Sequence, residues 1–144
     1  MSRISRWSIR LSAACLMLAA SSAAMAACSV STQGVSFGNY DPLAQSALDG
    51  VGNVHVSCDA PTSFTVSIGP GTGTVQDRRM TGGAAQLAYN LFKDSNRLVI
   101  WGEGIDGLGA VGTTVDLPVY GRIPATQNVQ ANVYADSLTV TVTF

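Results

Sequence analysis

Two short motifs in the chain match patterns that enzymes use. Residues 34–38 read Gly-Val-Ser-Phe-Gly, the G-x-S-x-G pattern in which a serine attacks an acyl group. That chemistry needs the serine at a sharp turn from a strand into a helix, with an acid and then a histidine later in the chain. No helical pattern follows Ser36, and no acid precedes the single histidine, His55, with room for a fold between them. We therefore do not expect a hydrolase.

The second motif lies at residues 102–107, Gly-Glu-Gly-Ile-Asp-Gly, and matches the G-x-G-x-x-G pattern of dinucleotide sites. Such a site needs a helix that opens at the last glycine and binds pyrophosphate at its N-terminus. Here a glycine-rich stretch and then a β-like pattern follow, so we expect a turn. One histidine and few cysteines make no transition-metal cluster, and the acids are too scattered for a calcium loop. The sequence predicts no enzyme, no cofactor and no metal site.

The N-terminus indicates export. Arg3, Arg6 and Arg10 precede an apolar run at residues 11–20, and Ala24-Met25-Ala26 places small residues where a signal peptidase reads them. We predict a cleaved signal peptide at residues 1–26, too short for a membrane span, and one mature domain at residues 27–144. A buried helix at the start of the domain is the alternative.

Two cysteines, Cys28 and Cys58, remain after this cleavage, because Cys15 leaves with the signal peptide. In an oxidising compartment they are most simply one disulfide, which would stabilise the fold by about 3–4 kcal/mol. The alternative is a lipid on Cys28, since Ala26 and Ala27 are small. That reading places Met25 where leucine is usual and leaves Cys58 without a partner.

The mature domain is acidic. It keeps five basic and nine acidic residues, a net charge of −4. No basic stripe is left for nucleic acid, and no second apolar segment is long enough to span a membrane. We expect an exported protein that passes through the periplasm to the cell surface or is secreted.

Apolar residues at every second position predict half-buried strands along most of the domain. The alternation covers residues 54–58, 64–68, 115–121 and 138–144, and residues 87–92 and 98–101 flank a polar turn. Pro118 indicates an edge or a bulge. The pattern favours an antiparallel sandwich or barrel. We expect His55 to be solvated, the Arg78-Arg79 pair to be solvated or paired with Asp77, and the aromatic residues to pack in the core.

The last segment is the most regular alternation in the chain. Its apolar positions are Leu138, Val140, Val142 and Phe144, with threonines between them. A strand of this composition belongs inside a sheet with a neighbour on each side, and an unpaired edge promotes aggregation. Periodicity alone leaves open whether another strand of the chain or a partner covers it.

Several longer motifs resemble the spore coat protein U domain family, in family order along almost the whole mature chain. They are Phe37-Gly38-Asn39-Tyr40-Asp41-Pro42, Arg79-Met80, residues 87–94 (LAYNLFKD), Trp101-Gly102-Glu103-Gly104, residues 119–127 (VYGRIPATQ) and residues 134–144 (YADSLTVTVTF). The family includes subunits of archaic, Csu-type chaperone–usher pili.

This resemblance implies an all-β fold: an incomplete, immunoglobulin-like antiparallel β-sandwich that lacks its final strand and has a Cys28–Cys58 disulfide. It also implies a groove beside the last strand, lined on one side by Leu138, Val140, Val142 and Phe144. A periplasmic pilus chaperone would fill the groove first, and after transfer at an outer-membrane usher a sibling pilin subunit would fill it with a donor strand.

The chain departs from the family in one respect, because only Ala27 separates the predicted cleavage site from Cys28. We therefore expect a minor or terminal subunit that accepts a strand without donating one. Two alternatives are a secreted single-domain coat or matrix protein, and a carbohydrate-binding module that uses Trp101 or Tyr120.

Overall fold

The protein, in a computed structural model that describes residues 26–144, is built from antiparallel β-strands. The strands are β1 (Cys28–Ser36), β2 (Leu48–Ile68), β3 (Thr72–Gly73), β4 (Arg78–Gly82), β5 (Ala85–Phe92), β6 (Leu108–Ile123) and β7 (Val140–Thr143). A single 3₁₀ turn, Gly104–Asp106, precedes β6. The predicted signal peptide lies outside the described residues except for Ala26. Within residues 26–144, no helix is long and apolar enough to cross a membrane.

One continuous ladder joins the strands in the order β1-β2-β6-β5-β4-β3, and β7 pairs with β2. The register of β2 against β6 shifts between Ser57 and Thr62, beside Pro61, which has no N–H to give to the ladder. The sheet bends at this shift and curls over itself, so that the two halves of β2 and β6 enclose a common core.

The core consists of the alternate side chains that the periodicity indicated. The buried hydrophobic residues are Val54, Val56, Cys58, Phe64, Val66, Ile68, Met80, Leu87, Tyr89, Leu91, Trp101, Leu117, Val119 and Ile123. Each strand with this alternation turns its polar residues outward, because successive strand side chains point to opposite faces. The prediction of an all-β antiparallel sandwich is confirmed.

Three predicted boundaries differ from the structure. Residues 54–58 and 64–68, predicted as two strands, belong to the single long strand β2. Residues 98–101 form no strand: Ile100 makes one bridge to Phe92, and the Asp94 carboxylate accepts the N–H groups of Leu98 and Val99 and closes the turn. β7 covers only Val140–Thr143, and of the predicted residues before it Thr139 keeps one hydrogen bond, from Gly69 N to Thr139 O.

Pro118 was predicted to mark an edge or a bulge. It lies in β6 opposite Asn53 of β2. On the other side of β6, pairing with β5 covers only residues 120–122. Pro118 therefore occupies a stretch where β6 has one neighbouring strand, and a missing N–H costs little there.

Candidate functional site

An open groove of about 860 Å³ runs over the core on one side of the sandwich. One wall is residues 32–40, from the end of β1 and the turn after it. The other wall is residues 129–136 with Leu138 and Val140. Its floor consists of buried core side chains: Val54, Ile68, Met80, Leu87, Tyr89, Leu91, Val119 and Ile123. Each of these floor side chains is at most 8% exposed, so the groove lies directly over the core but its walls already cover most of the floor.

The first wall rests on three glycines. A β-bulge between Gln33 and Ser36 turns the end of β1 inward. Val35 and Phe37 then lie flat over Gly50, Gly52 and Gly121. A Cβ at Gly121 would lie 2.6 Å from Phe37 Cζ and 2.7 Å from Val35 Cγ1, and a Cβ at Gly52 would lie 2.9 Å from Val35 Cγ2. The missing side chains of the glycines make the space that this wall occupies.

The second wall belongs to an irregular segment, residues 124–139, which we call the strap. Near its start, the Gln127 side chain donates to Ala88 O and accepts from Ala88 N, both at 2.8 Å. This amide pairs with the edge of β5 as a strand would. The Tyr40 hydroxyl accepts from Gln127 N at 2.7 Å and donates to Pro124 O at 3.0 Å. The start of the strap is thereby fixed to both β5 and the first wall.

The far end of the strap is fixed to β3, β4 and β5. Ala135 makes a two-way backbone bridge with Thr81. The Asp136 carboxylate accepts from the Tyr89 hydroxyl at 2.7 Å and from Thr72 N at 3.1 Å. Burial, together with the Asp136 hydrogen bond, raises the pKa of Tyr89 well above its ordinary value, so its proton stays in place to hold the strap.

β7 has one bonded edge and one open edge. It pairs with β2 through Ile68↔Val140 and Val66↔Val142, and Gly69 N donates to Thr139 O. Hydrogen-bonding direction alternates along an antiparallel strand. The N–H and C=O groups of Val140 and Val142 therefore point away from β2, and of these two residues Val140 lines the groove.

The family model described as the Spore Coat Protein U domain matches residues 14–141. The chain belongs to the spore coat protein U domain family. A curated relative, "Protein U" of Myxococcus xanthus, is 34% identical over 128 residues, which cover 76% of this chain and 71% of the relative.

A solved structure shares the fold of this spore coat protein U domain. It is the CsuC–CsuE chaperone–tip adhesion subunit pre-assembly complex from the archaic chaperone–usher Csu pili of Acinetobacter baumannii. One of its chains matches with a TM-score of 0.61 at 23% identity, over 83% of this chain. This chain spans 40% of the length of that one. The incomplete immunoglobulin-like sandwich that the resemblance implied is confirmed.

The motifs that carried the resemblance to the spore coat protein U domain meet in space. Tyr40 of the first motif binds Gln127 of the fifth, and Tyr89 of the third binds Asp136 of the last. Both contacts hold the strap. Residues of the first and last motifs lie in the walls of the groove and residues of the third lie in its floor, although they are far apart in the sequence.

The structure brings two of the four predicted groove residues to the groove. Leu138 and Val140 line it. Val142 is half-buried against the core beyond its end, and Phe144 is 59% exposed, with its ring centroid 6.0 Å from that of Phe64. Sequence reasoning did not identify the first wall or the strap, because their place in the groove depends on contacts between distant residues.

Cys28 and Cys58 form a disulfide that ties the start of β1 to β2. It lies in the half of the sheet where β1, β2 and β6 are all paired, away from the groove lining.

The prediction for the two adjacent arginines was correct for Arg79 and wrong for Arg78. Arg79 binds Asp77 at 2.8 Å on the surface. Arg78 is completely buried, and burial lowers its pKa from the ordinary value. The groups that accept its hydrogen bonds are chiefly backbone carbonyls, and the sequence around Arg78 does not indicate them.

Within residues 26–144, the other candidate chemical groups do not come together. Ser36 ends β1 and no helix follows it, while Gly104–Asp106 is a 3₁₀ turn that leads into β6. Trp101 is fully buried and cannot stack on a sugar, which removes it from the carbohydrate-binding hypothesis. His55, half-exposed on the outer face, binds Asp116 at 2.8 Å, and this hydrogen bond lowers the pKa of Asp116.

Proposed function

We propose that this chain is a structural, non-enzymatic subunit of a surface pilus, and that it accepts a β-strand from a partner in the open groove. The observation that carries the proposal is the groove itself, an opening of about 860 Å³ whose floor is the hydrophobic core. A segment bound in this groove would remove from water the partly buried apolar side chains of its walls, such as Val35, Leu138 and Val140, and would stabilise the folded domain.

The walls define what such a segment must be. The open edge of β7 offers the main-chain groups of Val140 and Val142, so an extended segment can add one strand to the sheet. Its alternate side chains would point to the floor, and these should be apolar, because an unpaired polar group there would be buried without a partner. Leu138 and Val140 would contact the added strand directly.

We infer the partners from the family and the fold. The subunit would interact in turn with a periplasmic chaperone, an outer-membrane usher and sibling pilin subunits. Similarity to a chain of a chaperone–tip subunit complex supports the first of these. Export would use residues 1–26 as a signal peptide, with residues 27–144 as the mature domain. With Ala27 alone ahead of Cys28, this subunit would be minor or terminal and act as an acceptor only.

A synthetic peptide of about seven residues, with apolar side chains at alternate positions, tests the proposal. At a hundredfold excess over its Kd, the peptide should stabilise the folded domain by about 2.7 kcal/mol. Val140→Asp should abolish this gain, because it places a charge in the groove. Thr141→Asp, one residue on and facing outward, should keep it.

Because Val140→Asp itself could unfold the domain, Leu138→Ser provides a second variant at the rim of the groove. It should weaken peptide binding while the far-ultraviolet circular dichroism stays unchanged. If the wild-type monomer is stable and no alternating peptide raises its melting temperature, the strand-acceptor proposal is wrong.

A second candidate is a secreted coat or matrix protein, favoured by the match to a family described as the Spore Coat Protein U domain. Such a protein would fill its groove by self-association. Immunogold labelling separates the two: label on fibres or their tips supports the pilus subunit, whereas a continuous layer around the cell supports the coat.

A further inference from the structure

Arg78 is a fully buried cation whose contacts are all neutral. Its Nη2 donates to Ile68 O at 2.9 Å, Gly69 O at 3.0 Å and Trp101 O at 2.8 Å, and its Nε donates to Gly69 O at 3.1 Å. Its Nη1 donates to Asn90 Oδ1 at 2.7 Å. An arginine is seldom buried without a carboxylate partner, so a cluster of backbone acceptors at one place needs a structural reason.

That place is the end of β2, where the neighbouring strand has run out. The pairing of β6 with β2 begins at Leu108, opposite Val66, so no strand flanks Ile68 on that side. There Ile68 N donates to Gly102 O, and Arg78 binds Ile68 O. The Trp101 indole N–H donates to Val66 O at 2.9 Å. Side chains and a loop thus make the hydrogen bonds at the end of β2 that a neighbouring strand makes elsewhere.

The opposite edge of the same residues carries β7. Ile68 is in register with Val140, and Gly69 N donates to Thr139 O at 2.9 Å. Arg78 therefore binds the carbonyls of the two residues that set the start of β7. Leu138 and Val140, which line the groove, lie on this same stretch.

Resting on the strand-acceptor function proposed above, we propose that Arg78 is the positioning residue of the groove. Its guanidinium holds the end of β2, and through it the edge of β7 to which a partner strand binds. The planar fork suits this task, because its donors can hold several carbonyls in one fixed geometry. Asn90 orients the guanidinium: its Oδ1 accepts a hydrogen bond from Arg78, while its Nδ2 donates to Val75 O and Gln76 O.

The test compares Arg78→Met and Arg78→Lys with Arg79→Gln, a matched loss of an arginine at the exposed neighbour. Amide hydrogen exchange of the exported, disulfide-bonded protein is measured at Thr141 and Thr143, the β7 residues whose N–H groups face β2. The amides of β6 between residues 115 and 121 are the internal reference. Affinity for the alternating peptide is measured on the same samples, below the melting temperature of each variant.

We expect Arg78→Met to speed exchange at Thr141 and Thr143 by about tenfold relative to the β6 amides, and to weaken peptide binding by about tenfold. Arg78→Lys, which keeps the charge and three donors, should recover part of both. Arg79→Gln should change neither. If Arg78→Met does not fold, Arg78→Lys against wild type gives the same comparison.

Two results would overturn the inference. One is an equal increase in the exchange rates of β7 and β6 amides, which would mean that Arg78 stabilises the whole fold and does not specifically position β7. The other is unchanged exchange at Thr141 and Thr143. A wild-type protein that binds no peptide would refute the strand-acceptor function, yet the exchange measurement would still decide whether Arg78 positions β7.

Discussion

The two halves of β2 have different boundaries. Residues 51–58 lie between β1 and β6, and the Cys28–Cys58 disulfide closes one end. Residues 62–68 pair with β6 only as far as Val66. Their opposite edge pairs with the four-residue β7, and the side chains of Trp101 and Arg78 bind the end of the segment. The first half is closed by strands, whereas the second is closed by side chains and leaves the outer edge of β7 free. The domain thus keeps its binding edge beside its least strand-supported region.

The largest effect should come from Trp101, at the half that side chains close. Trp101→Ala removes a fully buried ring and the hydrogen bond to Val66 O, so it should cost about 3–5 kcal/mol of unfolding free energy. Leu98→Ala, at a side chain that is 79% exposed, should change stability by less than about 0.5 kcal/mol. Urea denaturation measures both. Equal effects would contradict the importance of Trp101 in this half.

The second prediction concerns the disulfide beside the first half of β2. Replacing both cysteines by serine should cost about 3–4 kcal/mol, mainly because the unfolded chain regains the freedom of the loop between Cys28 and Cys58. The folded double variant should bind the alternating peptide as the wild type does, since neither cysteine lines the groove. A loss of peptide affinity in the folded fraction would show that the disulfide also supports the first wall, which lies further along β1.

Two glycines of β6 should respond to the same change with opposite signs. Gly121→Ala places a Cβ against Phe37 and Val35, so it should destabilise the domain by about 1–3 kcal/mol. Gly109→Ala meets nothing within 4 Å and should be neutral or stabilise the domain by up to about 1 kcal/mol. Thermal unfolding of the pair gives the answer, and a neutral Gly121→Ala would mean that the first wall is loosely held.

The smallest effect concerns pH. The hydrogen bonds from Arg122 hold the pKa of Asp49 below its ordinary value of 3.8. Because the folded pKa is depressed, this contribution is present above about pH 4 and is lost as the pH falls through the folded value. Asp49→Asn should flatten the dependence of stability on pH between pH 5 and pH 2, and Arg122→Gln should flatten it less, because Arg97, 3.3 Å from Asp49, also lowers the pKa of Asp49 and remains. Equal flattening would mean that Arg97 contributes nothing to this pKa.

Periodicity was enough to predict the elements that bury one face. β1 and β6 pair with the two edges of β2, and one face of β2 packs on the core. Val54, Val56 and Cys58 lie on that face and therefore alternate with polar residues. The alternation at residues 64–68 also ends where β2 ends, at Ile68. These features depend on neighbours in the sequence, and there the local pattern and the fold agree.

The walls of the groove could not be predicted in this way. Arg78 lies next to Asp77 and Arg79, a sequence typical of a solvated turn, yet its acceptors are at Ile68, Gly69 and Trp101. The strap carries no periodic pattern, since its position depends on single side chains such as Gln127 and Asp136. Such contacts become visible only once the sheet has brought distant residues together.

The glycines beneath the first wall have a consequence for the evolution of the domain. A side chain at Gly50, Gly52 or Gly121 would occupy space that Val35 and Phe37 already fill. A Cβ at Gly50 or Gly52 would also lie 2.7 Å from Ser36 O or 2.6 Å from Gln33 O, so we expect these two positions to stay glycine. At Gly121 only the side chains of Val35 and Phe37 stand in the way, so relatives with a larger residue at 121 should have a smaller residue at position 35 or 37. An aligned set of sequences would show this as a negative correlation between side-chain volumes across the sheet.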